Sequence, residues 1–258
     1  MPVLYCAEWV LPISAPPVSD AAIVVKDDLL VAVGKRSELS KKFPDAATQN
    51  FGNAASIPGL INAHSHLELT AMRGFLDREE AQFLSWLTKL TKARLEMMSA
   101  DDLYISAAWG ACEAVRAGVT AVADASDSAG VVLNAVRDVG LRGTIFQESF
   151  GPDPRLARQN FEKLKEKVAS LRELATSLVG IGVSPHAPYT VCAAQLEMVA
   201  DFAISEKLPL MMHAAESAAE DSFVREGRGP FAEGLRSRAI EWRATGSSTI
   251  QYLRRLGI

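Results

Sequence analysis

The chain has 258 residues, of which 48% are hydrophobic, and a formal net charge of −4 at pH 7. This size and composition are typical of a globular protein with one large core, or with one core and a small second domain. The weak negative charge, without a local run of lysine and arginine, argues against nucleic acid and anionic membranes as partners.

The cysteines and the apolar stretches predict a cytoplasmic protein. Cys6, Cys112 and Cys192 are odd in number, lie far apart and form no CxxC motif, which is typical of free thiols in a reducing compartment. Glu8 interrupts the first apolar stretch, and no stretch approaches the ~18 uncharged apolar residues of a membrane span. We therefore expect neither a signal peptide nor a membrane partner.

Residues 1–56 predict a small β unit. Residues 3–11 and 21–34 are apolar runs with the length of short strands. Within the second run, Lys26-Asp27-Asp28 has the polar composition of a hairpin turn.

After Pro58 the pattern changes to apolar strands that alternate with longer amphipathic segments, as in βα units with a parallel sheet. Two of these segments, 103–117 and 159–178, are predicted crossover helices. We count about five units and expect their strands at 57–63, 119–124, 144–147, 179–184 and 208–213. The sequence therefore predicts an α/β fold.

All four histidines of the chain lie at the ends of apolar runs. They are His64, His66, His186 and His213. Because a barrel of βα units brings the carboxyl ends of its strands to one face, we expect the histidines to converge there with Glu148 and Glu216. Neutral imidazoles bind zinc and leave a position for a water whose pKa falls toward ~7. Glu216, three residues after His213, can move a proton between that water and a leaving group.

Each of these features also has a purely structural explanation. An HxH pair occurs in ordinary loops and as hydrogen-bonded core histidines, and a glutamate placed like Glu216 also begins surface helices. The apolar runs before His186 and His213 favour the metal site, because the structural explanation would need three independent coincidences.

Three motifs carry a resemblance to a known family. They are PGLINAHSHLELTAMRG at 58–74, SPHAPYT at 184–190 and HAAE at 213–216. With them the chain resembles the amidohydrolase superfamily, in the cytosine-deaminase-like or chlorohydrolase-like branch that includes aminofutalosine and S-adenosylhomocysteine deaminases and triazine hydrolases. The resemblance implies a partial (β/α)8 TIM barrel at 57–258, preceded at 1–56 by the N-terminal part of a small, incomplete β-sandwich domain.

The resemblance also implies roles for individual residues. His64, His66 and His213 would be metal ligands, Glu216 the catalytic proton shuttle, and His186 a substrate-binding residue. Binuclear relatives often carry a modified bridging lysine where His186 stands, and no lysine lies near it. We therefore expect one divalent metal ion, Zn²⁺ first and Fe²⁺ as the alternative.

Two further residues are candidates for substrate binding. Trp86 lies in the segment after the first barrel strand, which covers the site as a hydrophobic wall in relatives; packing within a helix explains it equally well. Glu148, at the end of the third strand, is a candidate hydrogen-bond partner of the substrate. Relatives that bind ribose carry a carboxylate soon after this tryptophan, whereas here no acid follows before Glu96.

The predicted function is hydrolytic deamination of an aminated heterocycle or nucleoside-like small molecule by a metal-bound hydroxide. One alternative keeps the site and changes the bond to an amide, a cyclic amide or a carbon–halogen bond. The other is a non-catalytic, truncated fragment. Basic residues near Lys89 and Arg94 favour an acidic group on the substrate, although a solvated helix face explains them equally well.

The chain also departs from the family pattern. Relatives continue to a sixth strand that ends in a histidine and an eighth that ends in a metal-binding aspartate, but here no histidine follows His213 and no aspartate follows Asp221. We therefore interpret the chain as the N-terminal two-thirds of an amidohydrolase. Its open strand edges predict self-association into a homo-oligomer.

Overall fold

The computed structural model describes residues 1–75 and 83–258. The chain divides into two compact units, Met1–Leu60 and Ile61–Ile258. The sequence-based division into 1–56 and 57–258 places the boundary a few residues earlier.

The smaller unit is a five-stranded sheet with one helix. Its elements are β1 (Val3–Val10), β2 (Val18–Lys26), β3 (Leu29–Lys35), α1 (Arg36–Lys42), β4 (Ala47–Asn50) and β5 (Ala55–Ser56). The strand order is β3-β2-β1-β4, and β5 also pairs with β1. Alternate side chains of β1 and β2, among them Leu4, Cys6 and Val24, form a small core with Leu39 of α1.

The hairpin turn predicted at Lys26-Asp27-Asp28 is confirmed. β2 ends at Lys26 and pairs with Leu29 of β3, and Asp27 takes the left-handed conformation, with a φ of 57°, that two-residue hairpins require. These strands make a single sheet. A second layer, which a sandwich needs, is not formed by residues 1–60.

The larger unit is built on a sheet in the order β6-β7-β8-β9. The strands are β6 (Leu60–Ser65), β7 (Val119–Ser126), β8 (Arg142–Ser149) and β9 (Val179–Pro185). β8 runs parallel to both β7 and β9. The predicted α/β fold with a parallel sheet is therefore confirmed.

Helices connect the strands and cover the sheet. They are α2 (Phe83–Met97), α3 (Ala100–Arg116), α4 (Ala129–Val139), α5 (Ala157–Leu174), α6 (Ala193–Ser205), α7 (Ala218–Glu226), α8 (Pro230–Arg236) and α9 (Thr249–Arg255). The crossover helices predicted at 103–117 and 159–178 correspond to α3 and α5. Leu164, Val168 and Leu171 of α5 are buried at helical spacing. Within the described ranges, no helix has the length and apolar character needed to cross a membrane.

The strand predicted at 57–63 is displaced toward the carboxyl end. β6 occupies Leu60–Ser65, and it begins only after Pro58, which has no N–H to donate to a sheet. The strands predicted at 119–124, 144–147 and 179–184 are present and extend by one to two residues at one or both ends.

The strand predicted at 208–213 is wrong as a regular element. The segment touches β9 through one isolated parallel bridge, between Val183 and Leu210. Val183 N donates to Pro209 O at 3.0 Å and Met211 N to Val183 O at 3.1 Å. Because Pro209 has no N–H, and because His213 N donates beyond β9 to His186 O at 2.9 Å, no continuous ladder forms. The segment still carries His213 to the carboxyl end of β9.

The end of α4 provides a test of the fold. Gly140 has a φ of 79°, and nothing lies within 4 Å of a Cβ placed on it. We expect Gly140→Ala to lower the free energy of unfolding by about 1 kcal/mol, because the left-handed conformation is unfavourable for alanine. Urea denaturation measures this change.

Gly234 is the matched control, since it has equally open surroundings but lies inside α8. Gly234→Ala is expected to raise the free energy of unfolding by about 0.5 kcal/mol through helix propensity. The same sign of change in both variants would contradict the assignment of Gly140 to a left-handed helix end.

Candidate active site

All the residues predicted for the site line one cavity of about 540 Å³ in the larger unit. They are His64, His66, Trp86, Glu148, His186, His213 and Glu216. The cavity lies at the carboxyl ends of the strands, where parallel sheets with crossover helices place their functional residues.

His66 and His213 face each other through two nitrogen atoms that both carry a lone pair and therefore cannot hydrogen-bond to each other. His66 Nδ1 lies 2.7 Å from Ala125 O, and His213 Nδ1 lies 3.1 Å from His186 O. A carbonyl oxygen only accepts, so each Nδ1 carries a proton and, in the neutral ring, each Nε2 carries a lone pair. The two Nε2 atoms are 3.0 Å apart. Two lone pairs at this distance repel unless a positive charge lies between them.

His64 completes a cluster of three imidazoles. Its ring centroid is 4.9 Å from those of His66 and His213, and the three possible ligand atoms lie within 4.8 Å of one another. Burial, together with the neighbouring histidines, lowers the pKa of His66 to about 4. His66 is therefore neutral at pH 7, the form that binds metals. The donor set, with two Nδ1–H groups held by backbone carbonyls, fits a divalent cation such as Zn²⁺.

Asp124, in β7, holds the segment that carries His66. Its Oδ2 accepts from Ser65 Oγ at 2.8 Å and from Leu67 N at 2.7 Å, on either side of His66. Burial raises the pKa of Asp124 to about 7. The motifs of the sequence did not single out this residue, although an aspartate inside an apolar strand is a usable signal.

His186 and Glu148 form a second polar group on the cavity wall. His186 Nδ1 lies 2.8 Å from Thr190 Oγ1, and burial lowers the pKa of this histidine to about 3. Glu148 Oε1 is buried without a hydrogen-bond partner among the described residues and lies 4.0 Å from His213 Nδ1. Burial, followed by the nearby carboxylates, raises the pKa of Glu148 to about 8.

Glu216 lies between His213 and α7 and is held through both its backbone and its side chain. The carboxylate of Glu220 accepts from Ala215 N and from Glu216 N, each at 2.9 Å. Tyr189 Oη donates to Glu216 Oε1. Neither Glu220 nor Tyr189 was assigned from the sequence, but the pattern Ser-x-x-Glu at 217–220 is a helix-capping signature and Tyr189 lies within the SPHAPYT motif.

Trp86 fits both of its sequence interpretations. It lines the cavity together with Phe83 and Leu87 of α2, and its ring stacks on that of Phe83 at a centroid distance of 6.0 Å. It also packs against the small core that contains Leu90. α2 therefore forms an apolar wall of the cavity.

Arg94, also on α2, was a candidate partner for an acidic group on the substrate or part of a solvated face, and the structure pairs it with carboxylates of the protein itself. Its Nε donates to Glu68 Oε1 at 2.8 Å, its Nη2 to Ser128 Oγ at 2.8 Å, and its Nη1 to Asp127 Oδ2 at 3.4 Å. Its side chain is only 14% exposed, so Arg94 does not belong to a solvated face. Because Glu68 follows His66 by two residues, this ion pair ties α2 to the histidine segment.

Comparison with known proteins places this site in a family. The sequence model of the amidohydrolase family matches residues 56–235, which is more than half of the chain. The chain belongs to the amidohydrolase family. The resemblance predicted from the three motifs is thereby confirmed.

Curated relatives in this family are named as deaminases. The chain is 29% identical over 215 residues to a 5-methylthioadenosine/S-adenosylhomocysteine deaminase of Syntrophobacter fumaroxidans, with 82% of this chain and 48% of that protein covered. It is 28% identical over 212 residues to an aminodeoxyfutalosine deaminase of Deinococcus radiodurans, with 82% and 49% covered. The chain thus spans about half the length of these relatives.

Solved structures of amidohydrolases share the fold. The aminofutalosine deaminase of Helicobacter pylori, in complex with methylthio-coformycin, superposes with a TM-score of 0.76 at 22% identity, covering 96% of this chain and 59% of the other. An atrazine chlorohydrolase of Arthrobacter aurescens, complexed with zinc, gives 0.75 at 19% identity, covering 99% and 58%. Identities this low establish similarity of fold alone.

The cluster of three imidazoles predicts that the chain binds zinc and that loss of one imidazole weakens this binding. We expect the purified chain to bind about one Zn²⁺, and His213→Ala to weaken this binding at least about 100-fold, because it removes one of three nitrogen donors. Competition with a chromophoric chelator measures the affinity. Cys112→Ser, which removes an exposed thiol, should leave it unchanged. Equal affinity in wild type and His213→Ala would contradict the site.

The buried ion pair between Arg94 and Glu68 predicts that removal of the Arg94 charge destabilises the fold. Arg94→Gln should lower the free energy of unfolding by about 3 kcal/mol, because it leaves the buried carboxylate of Glu68 without its cation. In the matched control Arg73→Gln, an exposed pair with Glu113 at 2.7 Å is lost, and no loss of stability should be measurable. Similar denaturation midpoints for both variants would refute the anchoring role of Arg94.

Proposed function

We propose that this chain contributes the metal site and proton shuttle of an amidohydrolase that deaminates an aminated heterocycle or nucleoside-like small molecule. One observation carries the proposal. Three imidazoles lie close together, two of them with their Nε2 lone pairs facing each other, and the carboxylate of Glu216, held by a hydrogen bond from Tyr189, lines the same cavity. The names of the curated relatives support the reaction type. Because the chain spans only part of their length, the activity remains our proposal.

One divalent cation would be held by His64, His66 and His213. Zn²⁺ is the expected ion and Fe²⁺ the alternative. When bound, this ion supplies Lewis-acid activation of a water molecule. Ala125 O and His186 O fix the rings of His66 and His213 through their Nδ1 protons, so that these residues need no rearrangement to offer Nε2.

Glu216 is the proton carrier in this proposal. Hydrolytic deamination adds water across a carbon–nitrogen double bond of the ring and then expels ammonia. With Oε1 engaged by Tyr189, Oε2 of Glu216 would take the proton from the attacking water and deliver it to the ring nitrogen. The one proton that the amino group needs in order to leave as ammonia comes from the new hydroxyl group of the adduct, which becomes the carbonyl group of the product.

The two walls of the cavity suit a flat heterocycle. Trp86 and Leu87 offer an apolar face, and His186 and Glu148 offer polar atoms. Oε1 of Glu148 is buried and has no hydrogen-bond partner among the described residues, so this carboxyl group has an oxygen left to hydrogen-bond with a ring substituent. A small-molecule substrate would therefore be held by stacking and by hydrogen bonds.

We also propose that the sheet of the larger unit is part of an eight-unit barrel. The parallel pairing of β7, β8 and β9 supports this. So does the similarity of fold to amidohydrolase structures of which the chain covers 58% to 59%.

A panel of aminated and halogenated heterocycles, with detection of ammonia and halide, tests the function. We expect ammonia release, and a loss of about 10³-fold in kcat/KM in Glu216→Gln with zinc content unchanged, because general acid–base transfer contributes this much. Glu173→Gln, which alters an exposed carboxylate of α5, should match wild type.

Three outcomes would contradict the proposal. Unchanged turnover in Glu216→Gln would remove the proton shuttle. Halide release without ammonia would favour the dehalogenation alternative. Absence of turnover on the whole panel, with zinc bound, would favour a non-catalytic metal-binding chain.

A further inference from the structure

The side chain of Glu216 is exposed to solvent and is nevertheless held by a hydrogen bond. Glu216 is exposed, and an exposed glutamate ordinarily samples several rotamers, with an entropic cost of up to about 2 kcal/mol when one is selected. Here the hydroxyl group of Tyr189 donates to Oε1. The carboxylate is therefore tethered at one oxygen.

Tyr189 makes this contact from a rigid position. Its side chain is buried, and its ring stacks on that of Phe231 with a centroid distance of 4.1 Å and an interplanar angle of 15°. The ring of Phe83 meets it edge-to-face at 6.2 Å. Aromatic contacts on two sides leave the hydroxyl group little freedom to leave Glu216.

The backbone of Glu216 is fixed independently of Tyr189. The carboxylate of Glu220 accepts from two consecutive N–H groups, those of Ala215 and Glu216, and Ala215 takes a left-handed conformation with a φ of 59°. With the main chain clamped, the orientation of the Glu216 carboxylate depends on its side-chain torsions. Tyr189 provides the hydrogen bond that restrains them.

Tyr189 acts as a donor and not as a base. Burial, followed by the hydrogen bond to Glu216 and by the negative charge of Glu216 and Glu220, raises the pKa of the Tyr189 phenol. The hydroxyl group therefore keeps its proton in neutral solution. Because Tyr189 keeps its proton, it donates a hydrogen bond to Oε1 of Glu216. Oε2 is then the oxygen that exchanges protons.

We propose that Tyr189 is a positioning residue that orients the Glu216 carboxylate for proton transfer, with Oε1 tethered and Oε2 presented to the cavity. This inference rests on the proposed function of Glu216. Tyr189 itself transfers no proton, and it acts on the reaction only through Glu216.

Tyr189→Phe tests the proposal because it removes one hydroxyl group and keeps the ring stack. We expect kcat to fall about 10- to 100-fold, since a misplaced reacting group costs this much, with KM and zinc affinity nearly unchanged. Tyr252→Phe is the matched control. Tyr252 is also buried, belongs to the same hydrophobic cluster, and its hydroxyl group has no hydrogen-bond partner among the described residues. It should not alter kcat.

A double-mutant cycle separates action through Glu216 from a direct effect on substrate or stability. If Tyr189 works only by orienting Glu216, Tyr189→Phe should have no further effect on kcat in the Glu216→Gln background. The same fold-change in both backgrounds would overturn the proposal, and so would a Tyr189→Phe variant that changes KM alone.

A second measurement does not depend on turnover. The chain has four tyrosines, so ¹³C labelling at their Cζ atoms gives a spectrum in which Tyr189 is assigned by its loss in Tyr189→Phe. Glu216→Gln replaces a charged acceptor by a weaker neutral one and should shift the Tyr189 resonance while that of Tyr252 stays in place. An unmoved Tyr189 resonance would refute the tether even if the chain deaminates, and a shifted one would support it even if no substrate is turned over.

Discussion

The candidate site in the larger unit depends on one electrostatic constraint, the approach of two imidazole lone pairs. His66 Nε2 and His213 Nε2 lie 3.0 Å apart, and backbone carbonyls that bind both Nδ1 protons prevent either ring from turning into a hydrogen bond with the other. A cation between them removes the repulsion and uses both lone pairs. Asp124, which accepts from residues on both sides of His66, keeps the segment that carries this ring in place.

Acidic groups around the histidines also favour a cation in the cavity. Glu68, Asp127 and Glu148 line the cavity, where Arg94 is the one arginine or lysine among the described lining residues. The excess of carboxylates, added to burial, raises the pKa of Glu148 and would stabilise a divalent cation. Arg94 has a structural part in this balance, because it neutralises Glu68 and attaches the apolar wall of α2 to the histidine segment.

The side of the cavity that contains Glu216 is built by separate contacts. A carboxylate from α7, Glu220, clamps the backbone before Glu216, and an aromatic stack delivers the Tyr189 hydroxyl group to its side chain. The imidazole cluster and the carboxylate of Glu216 are thus supported by different contacts.

The sequence by itself determined the strands that lead to His64 and His186, the hairpin at Asp27 and the convergence of the predicted site residues in one cavity, because apolar runs mark strands and parallel strands end at a common face. It did not reveal the support of Glu68 by Arg94, of His66 by Asp124 or of Glu216 by Tyr189. It also predicted a regular strand at 208–213, where Pro209 interrupts the ladder. These supporting partners lie 26 to 59 positions apart along the chain. Local pattern does not encode such pairings, and only the packing of helices against the sheet brings their polar atoms within hydrogen-bond distance.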